Sequence, residues 1–223
     1  MNKNSSRPLS LLPFLFLFDL RLISALNLNS ISSVDFIPSP SPSPGYQPLA
    51  NGSDFIRSSC NSTLYPDLCY ASLEAYSSSV HEDPALLASV AIGVSLKKAK
   101  TIASYLVNLS HEGDFHSDPR ASSALHDCLS NFGDAVDEIQ GSLKQMRDLG
   151  AAGSSKENLR FLLSNVQTWM SAALTDQQTC ADGFDDVADG PLKEDVIDRA
   201  ACVKKLTSNA LALVNSYVEK ATS

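Results

Sequence analysis

Between Leu125 and Met146 the apolar side chains fall at Leu125, Cys128, Leu129, Phe132, Val136, Ile139, Leu143 and Met146, spaced 3, 1, 3, 4, 3, 4 and 3 residues apart. A helix of 3.6 residues per turn brings such a series onto one face, whereas a strand would scatter it over two. That face must be buried against another element. The rest of the chain shows no sustained two-residue alternation, so a sheet is not on offer. It shows further helices instead. Asp83-Pro84 reads as an N-cap followed by proline at the first helical position. Leu87, Val90, Val94, Ile102, Leu106 and Leu109 follow it. Asp118-Pro119 repeats the same start ahead of the Leu125 stripe. "LGAAGSS" at 149–155 breaks that helix, and Ser154 with Glu157 can form a capping box for the next. The next apolar face runs Leu159, Leu162, Leu163, Val166, Trp169, Met170, Ala173 and Leu174, and "DGP" at 189–191 ends it. A last helix holds Val196, Ala200, Val203, Leu206, Ala210, Leu213 and Tyr217. Four long helices with short breaks predict an all-α fold, an up-down-up-down four-helix bundle. A small helical hairpin around Cys60 and Cys69 sits in front of it.

The N-terminal part has a different texture. Lys3 and Arg7 precede the apolar run "LSLLPFLFLF" at 9–18, and small Ala25 stands where a cut would fall. Residues 1–25 therefore read as a secretory signal peptide, too short and too basic at its start for a membrane span. Residues 26–52 contain "IPSPSPSPGYQP", an extended polyproline-type tether with no core-forming content. Residues 53–223 form the folded domain. Sequons at Asn51, Asn61 and Asn108 fit a secreted glycoprotein.

Five cysteines, Cys60, Cys69, Cys128, Cys180 and Cys202, suggest two bridges and one spare thiol in an oxidising compartment. Cys60 and Cys69 frame the short loop "CNSTLYPDLC". Cys128 lies near the start of the second long helix and Cys180 near the end of the third, ends that antiparallel neighbours bring level. A bridge there closes a loop worth roughly 4 kcal/mol by chain entropy. The rival reading makes Cys180 a nucleophile, which needs a base; of His81, His111, His116 and His126, only His126 falls near that end. Cys202, on the face of Val203 and Leu206, reads as a buried free thiol.

Charge and motifs exclude several function classes. Cutting at residue 25 removes Lys3, Arg7 and Arg21 from 17 basic residues and Asp19 from 25 acidic ones, leaving 14 and 24 and a net charge of −10. An acidic chain of this kind is not a nucleic-acid or anionic-membrane binder, and favours a basic partner. "HEGDFH" at 111–116 has its histidines five apart, the wrong spacing for a zinc helix. "DGFDDVADG" lacks the order of a calcium loop. There is no G-x-S-x-G and no phosphate-binding loop, so no metal and no cofactor is expected. Asp134 and Asp137 sit about 180° and about 120° from the apolar stripe of their helix and point to solvent.

The segments "CNSTLYPDLC", "ALHDCLSNFGDAVDEI", "VQTWMSAALTDQQTCADGF" and "VKKLTSNALALV", in that order across residues 53–218, resemble the plant invertase and pectin methylesterase inhibitor family. The resemblance implies a four-helix bundle with an N-terminal hairpin, bridges Cys60–Cys69 and Cys128–Cys180, and Cys202 as the spare thiol. Invertase inhibitors of the family have Pro-Lys-Phe between the third and fourth cysteines; this chain has "ENLRFLLSNVQTWM" there. It looks instead like the pectin methylesterase inhibitors, and like the inhibitory pro-regions fused to those esterases. As the chain stops at Ser223, the resemblance implies a stand-alone inhibitor rather than an enzyme. It would block the esterase's pectin cleft non-covalently, one to one, in the cell wall; the chain itself is expected to be a monomer, with a dimer as the alternative. The matching contact positions are Asp134, Asp137, Thr179 and Asp182, while Ser130 departs from the glutamate some members have. Three rival readings remain: an invertase inhibitor, an orphan pro-region of a truncated esterase, and a wall structural glycoprotein suggested by the Ser-Pro repeat.

Overall fold

The structure, a computed structural model, describes residues 52–111, 118–151 and 155–223. The signal peptide, nearly all of the tether, Asn51, most of "HEGDFH" and Ser154 lie outside the described residues. Along the chain run α1 (Gly52–Cys60), α2 (Pro66–Leu73), a 3-10 turn (Glu74–Tyr76), α3 (Ser77–Val80), α4 (Pro84–His111), α5 (Pro119–Ala151), α6 (Lys156–Asp182) and α7 (Pro191–Thr222).

Helix starts follow the local chemistry. The Asp83 carboxylate accepts from the backbone N–H of Ala85 at 2.8 Å and of Leu86 at 3.2 Å, and Asp118 accepts from Arg120 N–H at 2.9 Å. These bonds satisfy donors that the first turn leaves open. The α6 cap is Ser155, not Ser154: its hydroxyl accepts from Asn158 N–H at 3.2 Å. Moving the cap by one residue puts Glu157 in the first turn, where it favours the helix dipole instead of closing a capping box. Before α4 the chain turns through His81 and Glu82, both left-handed with φ of 47° and 57°.

Each long helix packs on two neighbours: α4 on α5 and α7, and α6 on α5 and α7. This is the up-down-up-down bundle. The core holds Leu87, Ile92, Ile102, Leu106, Phe132, Ile139, Leu163, Met170 and Phe184, all fully buried. The buried arc is wider than a single stripe because two neighbours must be met. Val90, Val94, Leu129, Val136 and Leu143 are only half-buried, while Ala88, Ala91, Ala99, Ala124 and Ala135 lie inside, where the helices come close. A polar layer crosses the middle. Thr207 donates to Val203 C=O at 3.1 Å and accepts from Gln177 at 3.0 Å and from the Ser95 hydroxyl at 2.6 Å. Buried hydroxyls and amides need such partners.

The hairpin of α1 and α2 is closed by Cys60–Cys69, Cα–Cα 5.6 Å. Its first residue packs so closely that a Cβ on Gly52 would lie 2.1 Å from the Ser77 carbonyl oxygen. Asn209 of α7 fixes it to the bundle: its side-chain oxygen accepts from Tyr65 N–H at 3.1 Å and its amide donates to Tyr65 C=O at 2.9 Å. Cys202 is free, but half-buried rather than buried. It faces an open hollow beside Leu64, Tyr65 and Lys205 at the entry to α2. Asn61 and Asn108 are both exposed. No described helix is long and apolar enough to cross a membrane.

Candidate partner-binding site

The α5–α6 pair sets up the surface. Cys128 and Cys180 are bonded, Cα–Cα 4.1 Å, and both are buried. This overturns the nucleophile reading: Cys180 has no thiol to ionise. His126 stands exposed beside Asp127 at 3.6 Å. The bridge locks α5 antiparallel to α6 near one end, so residues further into α5 lie beside residues earlier in α6.

Asp134 and Asp137 are exposed on α5. Asp134 lies close enough to Glu138 and Asp176 for its charge to act on both. Thr179 is exposed on α6, and its hydroxyl donates to Thr175 C=O at 2.9 Å. Asp182 closes α6, exposed, and accepts from the Gln178 amide, whose oxygen in turn accepts from Lys204 of α7. At 100° per residue, Asp176, Thr179 and Asp182 fan across roughly 120° of α6. Asp176 thus faces α5, Asp182 turns toward α7, and Thr179 stands between. Asp134 and Asp137 share the α5–α6 seam with Asp176, whereas Asp182 lies round the corner.

Three features of the seam escape a sequence reading. Glu138 and Asp176 meet across it, and burial and their mutual repulsion push the Glu138 carboxyl up to about 7, with Asp134 adding to the shift. Asp176 is also raised, first by burial and then by Asp134, while its hydrogen bond with Glu138 pulls the other way. Glu138 is therefore the one that keeps the proton. Its Oε2 is buried and no N–H or cationic donor reaches it. Trp169 is the third feature. It is not a core residue but half-buried, lying over Gly141, where a Cβ would come within 3.0 Å of its ring atoms Cε3 and Cζ3. Trp169, Gly141, Asp137 and Glu138 bound a cleft of about 210 Å³. The i,i+4 spacing of Asp134 to Glu138 and of Asp137 to Gly141 was the available signal, readable only once α6 is known to lie alongside.

Among the described residues no group of three His, Cys, Asp or Glu side chains could hold a metal ion. Neither a nucleophile–base pair nor a metal cage is built along the seam. Its chemistry is that of recognition: fixed carboxylates, a hydroxyl and an indole ring on two rigid helices.

Comparison with known proteins agrees. The family model described as "Plant invertase/pectin methylesterase inhibitor" matches residues 54–213. The "21 kDa protein" of Daucus carota is 39% identical over 172 residues, 77% of this chain and 87% of that protein. Pectinesterase inhibitor 9 of Arabidopsis thaliana is 36% identical over 203 residues, 90% of this chain and 97% of that one. The crystal structure of a mutant form of a pectin methylesterase inhibitor from Arabidopsis superposes with a TM-score of 0.54 at 19% identity, covering 70% of this chain and 92% of that one, a likeness of fold. This chain belongs to the plant invertase/pectin methylesterase inhibitor family.

Proposed function

We infer that this chain is a protein inhibitor of a pectin methylesterase and not itself an enzyme. The observation that supports this most is its 36% identity across nearly the whole length of a pectinesterase inhibitor. The helical face along α5 and α6 is the contact surface, with Asp134, Asp137, Thr179 and Asp182 meeting the esterase. It covers the pectin cleft non-covalently and one to one. Rigid helices lose little freedom on docking, which favours affinity. The chain's net charge of −8 steers it toward a basic esterase, and rim carboxylates set the association rate and its salt dependence. The signal-like leader and the sequons Asn51, Asn61 and Asn108 fit secretion as a glycoprotein into the wall, where pectin is. The missing Pro-Lys-Phe sets the invertase reading aside.

The test is a titration of the purified secreted chain against a plant pectin methylesterase and an acid invertase. The expected result is saturable inhibition of the esterase at one chain per enzyme, with the invertase untouched. Inhibition of neither, or of the invertase alone, overturns the assignment.

A further inference from the structure

We propose that the cleft bounded by Trp169, Gly141, Asp137 and Glu138 is a receptor notch for one cationic side chain, an arginine or lysine, projected by the protein partner. The notch rests on the inhibitor reading and deepens it by naming the chemistry that the partner must present.

Three independent observations converge there. First, the cleft has room, at about 210 Å³, for the end of a long side chain, and it opens to solvent on the seam where the partner docks. Second, its wall is a tryptophan ring held in place by the absence of a side chain at residue 141. Glycine inside a long helix is unfavourable by propensity, and at this position it lets the indole lie flat across the neighbouring helix. An indole face beside carboxylates is the arrangement that holds a guanidinium, by cation–π attraction and by ion pairing together. Third, no cation of the described residues pairs with these carboxyl groups. Among the described residues the ion pairs are His126–Asp127, Lys144–Asp148, Lys193–Asp189 and Arg199–Asp195, none of which involves Asp137 or Glu138. Oε2 of Glu138 is buried and receives no hydrogen bond from an N–H or cationic donor, the group's polar partner being the neighbouring carboxyl of Asp176. The free protein relieves the crowded Glu138–Asp176 pair by holding a proton there, and a cation inserted beside the pair takes over that role in the complex. The partner gains affinity there that water cannot supply. A free metal ion is a poor occupant, since no three-ligand cage exists among the described residues.

The chain has one tryptophan, so its fluorescence reports on this cleft alone. Pentaarginine titrated into the full chain at low ionic strength should shift Trp169 emission saturably, and pentaglutamate should not. The double variant D137N/E138Q should weaken the pentaarginine response at least tenfold. D185N/D186N, which removes two exposed acids away from the seam, should leave it within twofold. An equal response in both variants means that the peptide senses only net charge, and overturns the notch. In the esterase assay, W169A should raise the inhibition constant at least tenfold and G141A at least fivefold, with helical circular dichroism unchanged, while W169F retains most of the inhibition. Inhibition by G141A and W169A equal to the parent's also overturns it. If W169A fails to fold, G141A and D137N/E138Q decide the question in its place. A parent chain that inhibits no esterase sinks the inhibitor reading, yet the pentaarginine titration still decides whether the notch takes a cation.

Discussion

Two seams of the bundle treat polar groups in opposite ways. Where α4 meets α7, they are closed on one another. Tyr105 donates to Asp195 at 2.5 Å, Arg199 donates to the same carboxylate oxygen at 2.7 Å, and the guanidinium lies 4.2 Å from the Tyr105 ring centre. Burial first, and the Asp195 bond second, push the Tyr105 hydroxyl up to about 12, while Arg199 and Tyr105 hold Asp195 below its usual range. Deeper in, Ser95, Thr207 and the Gln177 amide N–H share one hydrogen-bonded layer, with only Gln177 Oε1 left without a partner there. Where α5 meets α6, the acids Asp134, Asp137, Glu138 and Asp176 gather with no cation from the described residues among them. Polar groups satisfied inside the molecule serve the fold. Polar groups left open on a rigid face cost stability, and are kept where something outside completes them. The seam that looks worse as structure is therefore the better candidate for function.

The largest expected effect tests what the open seam stands on. C128S/C180S removes the bridge beneath it and releases a loop of 52 residues. The expected loss is about 4 kcal/mol by the chain-entropy model, seen as a large drop in thermal midpoint, together with lost inhibition as α5 and α6 part. Next comes Thr207→Val at the closed layer. Leaving Ser95 and Gln177 without their shared partner should cost about 2 kcal/mol in urea unfolding, with the inhibition constant within twofold of the parent's. Asp195→Ala, at a half-buried ion pair still screened by solvent, should cost no more than about 1 kcal/mol. A thermal shift smaller in high salt than in low would identify the ionic part of that loss.

The smallest effect has the opposite sign. Glu138 titrates near pH 7 in the folded chain, against an ordinary value of 4.5. The native state thus binds more protons than the unfolded one between those values. Its contribution is fully favourable below the ordinary value and is lost as pH rises through about 7. Glu138→Gln removes this dependence. It should match the parent at acid pH and exceed it in stability above neutrality by about 0.5 kcal/mol, allowing for solvent screening of a partly exposed group. Paired melts at about pH 4 and about pH 8, on either side of that window, would show it. A loss of stability at the higher pH would mean that Glu138 is satisfied after all.

The bundle was legible because its signals are local. Asp83-Pro84 and Asp118-Pro119 cap helices with their own neighbours, and the Leu125–Met146 spacing needs no knowledge of the rest of the chain. Signals that depend on a second helix were misread. Trp169 looked like core because it is apolar and in phase with Met170 and Ala173. Only Gly141, 28 positions earlier on α5, makes it a cleft wall. Gln177 and Thr207 are polar and carry no apolar signal, yet both are buried and bonded to one another. Cys202 shares a helix face with Leu206, but the neighbour that should cover it, the turn into α2, leaves a hollow there instead. Glu138 and Asp176 are unremarkable acids until antiparallel packing places them side by side.

One paired titration bears most directly on the claim that the open seam, and not the closed one, is the inhibitory surface. A plant pectin methylesterase would be titrated with D134K/D137K and with D195A/R199A, each checked for unchanged helical circular dichroism. The expected result is an inhibition constant at least tenfold higher for the first and within twofold of the parent for the second. Equal losses, or a loss confined to D195A/R199A, would contradict the account.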